Sequence, residues 1–239
     1  MWQIETRSAS NKGAPLNYRA IIFDLDGTLL DTLTDIAMAA NDVLQSLGET
    51  AHPIADYRFM VGDGVLVLFQ RALPATREDH DLLQECVHLF EKFYAIRWKE
   101  TSAPYPEIPE LLDWLTEEKV PMTVLSNKPH PFTCQCVEEL LPKWSFQVVL
   151  GQRPEIPRKP DPAGVYELLG RLGSLHDSTF EASEVLYVGD TNTDMQTAVA
   201  SGCFPIGVTW GFRPEMELRQ AGASTIIHHP IELQSLFTK

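Results

Sequence analysis

"AIIFDLDGTLLDT", residues 20–32, decides how the rest of the chain is read. An apolar run suited to a buried strand stops on Asp24 and Asp26, one leucine apart, with Gly27 directly after them. On an extended backbone, residues i and i+2 leave the same face, so both carboxylates can address one bound group or cation. Taken alone, the pair also suits a plain turn, with Gly27 relaxing the backbone and Thr28 capping the next element.

Four further runs share the character of the first: "PMTVL" (121–125), "FQVVL" (146–150), "EVLYV" (184–188) and "FPIGVT" (204–209). Between them lie "PFTCQCVEELLP", "DPAGVYELLGRLG" and "NTDMQTAVASG", with apolar residues three or four apart and Gly or Pro near an end, which predicts helices. Strands alternating with helices predict an α/β fold, a doubly wound parallel sheet. The gap between the first two strands is too long for one crossover helix. Ile36, Ala40, Val43, Leu44 and Leu47 form one helical stripe ending at Gly48, and Leu82, Leu83, Cys86, Leu89, Phe90, Phe93 and Trp98 form another. Residues 33–103 therefore read as an α-helical insertion, a cap domain, in a core made of 1–32 and 104–239. Pro104 and Pro106 mark the return, ahead of an amphipathic helix from Ile108 to about Glu118. Residues 1–17 read as a frayed leader.

Composition narrows the function. The chain has 239 residues, 44% of them hydrophobic, enough for a real core, and a net charge of −14. That acidity argues against nucleic acid or an anionic membrane as a partner, since both demand a surplus of Lys and Arg. A phosphate ligand would need a deliberate local site. Cys86, Cys134, Cys136 and Cys203 show no C-x-x-C pairing, and the seven histidines show no zinc-ligand spacing, so reduced thiols and a cytoplasmic location are expected.

Three more clusters follow strand ends, where open parallel sheets bind their ligands. Ser126 and Asn127 offer a hydroxyl and a backbone N–H to phosphate oxygens at the start of a helix, or form an ordinary helix cap. Lys159, held extended by Pro160, can neutralise a phosphate, although most lysines are simply solvated. Asp190 at a strand end and Asp194 in the next first turn supply hard oxygen ligands suited to Mg²⁺; Asp194 equally suits a helix dipole.

"DLDGTLLDT", "SNK", "RKP" and "GDTNTD", in this order, resemble the four signature segments of the haloacid-dehalogenase-like phosphohydrolases, within the phosphoglycolate-phosphatase-like branch that carries a helical cap. The likeness runs from residue 18 to about 235. It implies a fold with a Rossmann-like core, and a Mg²⁺-dependent phosphatase of a small phosphorylated metabolite, 2-phosphoglycolate first among candidates. It implies Asp24 as the nucleophile that becomes an aspartyl phosphate, Asp26 as general acid and base, and Thr28 as a residue orienting Asp26. Gly27, Ser126, Asn127 and Lys159 would hold the phosphate, with Lys159 also restraining Asp24. Asp24, the carbonyl of Asp26, Asp190 and Asp194 would hold the metal. In the insertion, Gly62 and Gly64 would let backbone approach the ligand, and Arg58 or Arg71 would meet a substrate carboxylate or else form a surface ion pair. Asp26 argues against C–halogen and C–P cleavage. A β-phosphoglucomutase-like sugar-phosphate mutase and an inorganic pyrophosphatase stay open, as does a catalytically silent binding or assembly protein, working as monomer or homodimer.

Overall fold

The computed structural model describes residues 18–75 and 79–237; the leader proposed for 1–17 lies outside the described residues. Strands β1 (Ala20–Phe23), β4 (Met122–Pro129), β5 (Phe146–Gln152), β6 (Val185–Gly189), β7 (Phe204–Val208) and β8 (Thr225–Ile227) form a sheet in the order β5-β4-β1-β6-β7-β8. Every pairing in it is parallel. The α/β architecture expected from the alternation is therefore present. The first strand lies in the middle, between β4 and β6, and the topology switches there. Crossovers leave the two sides of β1 in opposite directions and open a crevice at its carboxyl end.

Alternation along β1 makes two cores. Ile21 and Phe23 pack on one face with Leu29, Ile36, Leu111 and Val188. Ala20 and Ile22 pack on the other with Leu125, Val148, Val165, Leu168 and Tyr187. A strand buried on both faces must be continuously apolar, which is why "AIIF" shows no polar alternation. Helices α4 (Ile108–Glu117), α5 (His130–Leu140), α6 (Ala163–His176), α7 (Asn192–Ser201) and α8 (Glu215–Gln220) connect or flank the strands.

Residues 33–102 leave the sheet. They hold α1 (Leu33–Ser46), a 3₁₀ turn (Ile54–Phe59), α2 (Val65–Ala72) and α3 (His80–Arg97), and among the described residues none adds a strand to the six. Helix α1 ends where Gly48 takes a positive φ of 76°. The segment closes on itself through a short antiparallel pair, β2 (Leu30–Asp31) with β3 (Ala103–Pro104). Buried Asp35 reinforces that closure by accepting hydrogen bonds from the backbone and hydroxyls of Thr101 and Ser102. Several short elements escape the sequence reading, among them the two-residue strands β2 and β3, the three-residue edge strand β8 and the six-residue helix α8. Each is too short for its periodicity to register.

Candidate active site

The carboxyl end of β1 sets the geometry. After Phe23, the Asp24 N–H donates to the Val188 carbonyl (2.9 Å), keeping Asp24 on the sheet before the chain turns. Gly27 makes that turn at φ 89°, pressed against β6's carboxyl end: a Cβ there would lie 2.3 Å from Oδ2 of Asp190. Only glycine satisfies both demands. Gly27→Ala is expected to cost about 1–3 kcal/mol from backbone strain and to push Asp190 aside, as a urea titration would show. An unchanged midpoint would refute the close approach.

The two aspartates of the opening motif share a strand end but face different partners. Asp24 Oδ1 accepts from Lys159 Nζ at 2.8 Å, and the same ammonium donates to Asp194 Oδ1 at 2.7 Å. Asp26 accepts from Thr32 Oγ1 (2.7 Å) and, at both oxygens, from Lys128 Nζ (2.9 and 3.1 Å). Thr28 does not reach Asp26, against the expectation; its hydroxyl donates to Asp190 Oδ1 (3.0 Å). The turn at Gly27 rotates residue 28 toward β6, and Thr32, at the end of the short β2 segment, takes the place beside Asp26.

Asp190 follows β6 and is fully buried, with Oδ2 accepting from the Phe212 N–H (2.7 Å). Asp194 begins α7 in a capping box with Thr191, whose N–H and hydroxyl both donate to its Oδ2. Capping and site-building thus fall on one carboxylate. Ligand oxygens of Asp24, Asp190 and Asp194 lie within 4.8 Å of one another. Burial, then the neighbouring Asp194, pushes Asp24 up to about 7, while Lys159 pulls the other way. Asp190 is raised well above the usual carboxylate range by burial and by the charges of Asp194 and Asp24. Burial opposes the charge on Lys159, but Asp194 and Asp24 outweigh it and hold the ammonium well above its ordinary pKa. When all are ionised, Asp24, Asp26, Asp190 and Asp194 carry four negative charges, and the ammonium groups in ion-pair contact with them, Lys128 and Lys159, offset two, leaving the charge that one divalent cation would balance. Hard oxygen donors at this spacing fit Mg²⁺.

The phosphate-side residues differ from the sequence expectation in one respect. Ser126 to Lys128 do not open a helix; β4 continues through them to Pro129, and α5 begins at His130. Register with β5 slips between Leu125 and Pro129, and the irregularity turns these residues toward the cleft. Ser126 Oγ accepts from the Lys128 N–H (3.2 Å). Asn127 serves as a clamp: its Oδ1 accepts the Lys159 N–H (2.9 Å), and its Nδ2 donates to the carbonyls of Lys159 and Gly62 (each 3.1 Å). The Lys159–Pro160 peptide is cis.

A cleft of about 60 Å³ lies over this constellation. Asp24, Asp26, Ser126, Asn127 and Lys128 form its floor, and Ile36, Val61, Gly62, Gly64, Val65, Leu68, Phe90 and Tyr94 cover it from the helical segment. Arg58 and Arg71, expected to face the substrate, do not line it. Arg58 donates to the Phe212 carbonyl (2.9 Å) and that of Gly211 (3.4 Å). Arg71 pairs with Asp63 and donates to the Met60 carbonyl. Both guanidiniums are drawn to backbone and a neighbouring acid: the surface-pair alternative holds for Arg71, and Arg58 fastens the 3₁₀ turn to the 211–212 loop. Arg213 answers it from the other side, donating to the Val61 carbonyl (2.9 Å), and Asp63 accepts from Thr193. Sequence reading missed Thr32, Lys128 and this latch. Lys128 stood inside "SNK" and had only its neighbours to recommend it; no spacing rule links the latch residues, which are far apart in the chain.

Fold and site together define a doubly wound α/β protein with paired aspartates lining a cleft at the carboxyl end of its central strand. The chain belongs to the haloacid dehalogenase-like hydrolase family, whose model matches residues 21–208. It is 33% identical over 217 residues to a phosphoglycolate phosphatase of Yersinia pestis, covering 90% of this chain and 91% of that one. A phosphoglycolate phosphatase of Pseudomonas savastanoi pv. phaseolicola is 30% identical over 214 residues, covering 87% and 76%. Among solved structures, a candidate phosphoglycolate phosphatase from Lactobacillus delbrueckii subsp. bulgaricus superimposes with a TM-score of 0.84 at 30% identity, over 92% of this chain and 98% of that one. A haloacid dehalogenase-like family hydrolase from Streptococcus pneumoniae gives 0.80 at 25% identity, over 93% and 99%.

Proposed function

We propose that this hydrolase cleaves small phosphate monoesters in two displacements on Asp24, with 2-phosphoglycolate the first candidate substrate. The observation that carries the reading is the division of labour at the end of β1: Asp24 sits against Lys159 in a carboxylate cluster, while Asp26, two residues on, lines the same cleft from a separate set of partners. An Asp24 carboxylate oxygen attacks phosphorus as the ester P–O bond breaks, and Asp26 gives its proton to the departing oxygen. In the second step Asp26 takes a proton from water, the water oxygen bonds to phosphorus, and the acyl-phosphate bond to Asp24 breaks to release inorganic phosphate. Lys159 holds Asp24 in place and offsets charge on the phosphoryl oxygens, which Ser126 and the Asn127 N–H also meet.

Asp24, the Asp26 carbonyl, Asp190 and Asp194 would hold Mg²⁺. When bound, it would neutralise enough charge for a carboxylate to approach a phosphate. The helical segment 33–103 acts as a cap that keeps bulk water from the cleft, and the reaction belongs to the cytoplasm. Among the described residues no helix is long and apolar enough to cross a membrane.

The test is phosphate release from a panel of phosphorylated metabolites, ranked by kcat/KM with Mg²⁺, then with excess chelator, then with Ca²⁺. Activity is expected only with Mg²⁺, and Ca²⁺ should inhibit because its larger, looser coordination misplaces Asp24. Full turnover in chelator would overturn the metal assignment, and isomerisation of a sugar phosphate without phosphate release would make the protein a mutase.

A further inference from the structure

Lys128 is more than a partner for Asp26. It is buried, its side chain 5% exposed, and its ammonium sits 4.5 Å from the centre of the Tyr94 ring. Asp26, at 2.9 Å, and the face of the Tyr94 ring hold the ammonium from two sides. It lines the cleft beside Asp26, where the group leaving phosphorus must lie to receive the Asp26 proton. Its three N–H donors are shared between the two oxygens of Asp26 and Tyr94, and a ligand carboxylate would draw the donor now turned to Tyr94.

Of the other cations near the cleft, Arg158 is exposed, its Nη1 3.6 Å from where a Cβ on Gly64 would lie, and four more are committed elsewhere. Lys159 is shared between Asp24 and Asp194, Arg71 is paired with Asp63, and Arg58 and Arg213 are turned to backbone carbonyls. The covering wall formed by Ile36, Val61, Val65, Leu68 and Phe90 is apolar. A polyhydroxylated leaving group would bring several hydroxyls against that wall, where the Tyr94 hydroxyl is the one side-chain group able to accept or donate. A short leaving group with one anionic end meets a single buried positive charge.

We propose that Lys128 is the specificity-determining residue of the cleft: it receives a carboxylate on the leaving group, so the preferred substrates are phosphate monoesters of short carboxylic acids rather than of sugars. The inference rests on the phosphatase reading and can fail separately from it. The two probes are 2-phosphoglycolate and 2-hydroxyethyl phosphate, which match in size and differ in the carboxylate. Wild-type protein with Mg²⁺ should favour the carboxylated ester in kcat/KM by about 10- to 100-fold, the usual worth of one charge-assisted hydrogen bond in a buried site. Lys128→Met should slow both esters, because Asp26 loses a partner, but should also bring their ratio close to one. Lys128→Arg should keep most of the preference, and Arg58→Met should leave the ratio unchanged. A purely structural role would lower both rates and preserve the ratio in Lys128→Met, which would overturn the proposal, as would collapse of the ratio in Arg58→Met. Should Lys128→Met fail to fold, the wild-type ratio decides, and a value below threefold overturns it. Release from neither ester nor any other monoester would sink the phosphatase reading itself; release from 2-hydroxyethyl phosphate with no carboxylate preference would sink only this inference.

Discussion

Asp24→Asn is expected to lower kcat on the order of 10⁶-fold, the scale of loss when a covalent nucleophile is removed. The amide matches the carboxylate in size, so the strand end and the hydrogen-bonding distance to Lys159 Nζ, 2.8 Å in the native chain, need not change. The substitution also takes one charge from a buried cluster in which Asp24 already resists ionisation, its pKa pushed up to about 7 by burial and Asp194. The fold should therefore survive: the melting temperature in chelator should stay level or rise, since a repulsive charge has gone. Rapid quenching of the wild type during turnover, followed by peptide mass analysis, should place phosphate on Asp24. Phosphate trapped on another residue, or an Asp24→Asn variant within tenfold of wild type, would defeat the nucleophile assignment.

Lys159→Met should damage both stability and turnover. Its ammonium sits 2.8 Å from Asp24 and 2.7 Å from Asp194, with all three side chains under a tenth exposed. Removing one partner of a buried ion pair leaves an unpaired charge and typically costs about 3–5 kcal/mol. Methionine fills the space of the stem, so the loss reports charge rather than a cavity. Unfolding in urea with chelator should show that loss, and added Mg²⁺ should recover part of it by supplying positive charge to the same carboxylates. Turnover should fall about 10²- to 10³-fold even in Mg²⁺, as when one charge-stabilising donor is lost. A variant with wild-type stability and rate would show Lys159 to be a bystander.

The sequence carried more of the sheet than of the cleft. "AIIF", "PMTVL" and "EVLYV" are apolar on both faces because they are buried on both faces, so position in the sheet is written into composition. Glycine and the aspartates after those strands were legible because a positive φ and a hard-ligand carboxylate admit few residue types. The helical stripes of 33–103 followed from a 3.6-residue period.

Orientation was not legible. Thr28 and Thr32 are alike as residues, and only the turn at Gly27 decides that the first meets Asp190 and the second Asp26. Arg58 and Arg71 stand in the segment that covers the cleft, but backbone carbonyls and Asp63 are nearer partners than any ligand. Lys128 gains its place beside Asp26, 102 positions away in sequence, through the slip of β4 against β5. The sequence by itself determined the strand and helix types and the chemistry available at the carboxyl ends of the strands, because these depend on burial period and on side-chain donors, both local properties. Tertiary structure alone decided which carboxylate each ammonium serves and which cations remain to greet a substrate, because charges choose partners by distance, and those distances exist only once the strands lie side by side.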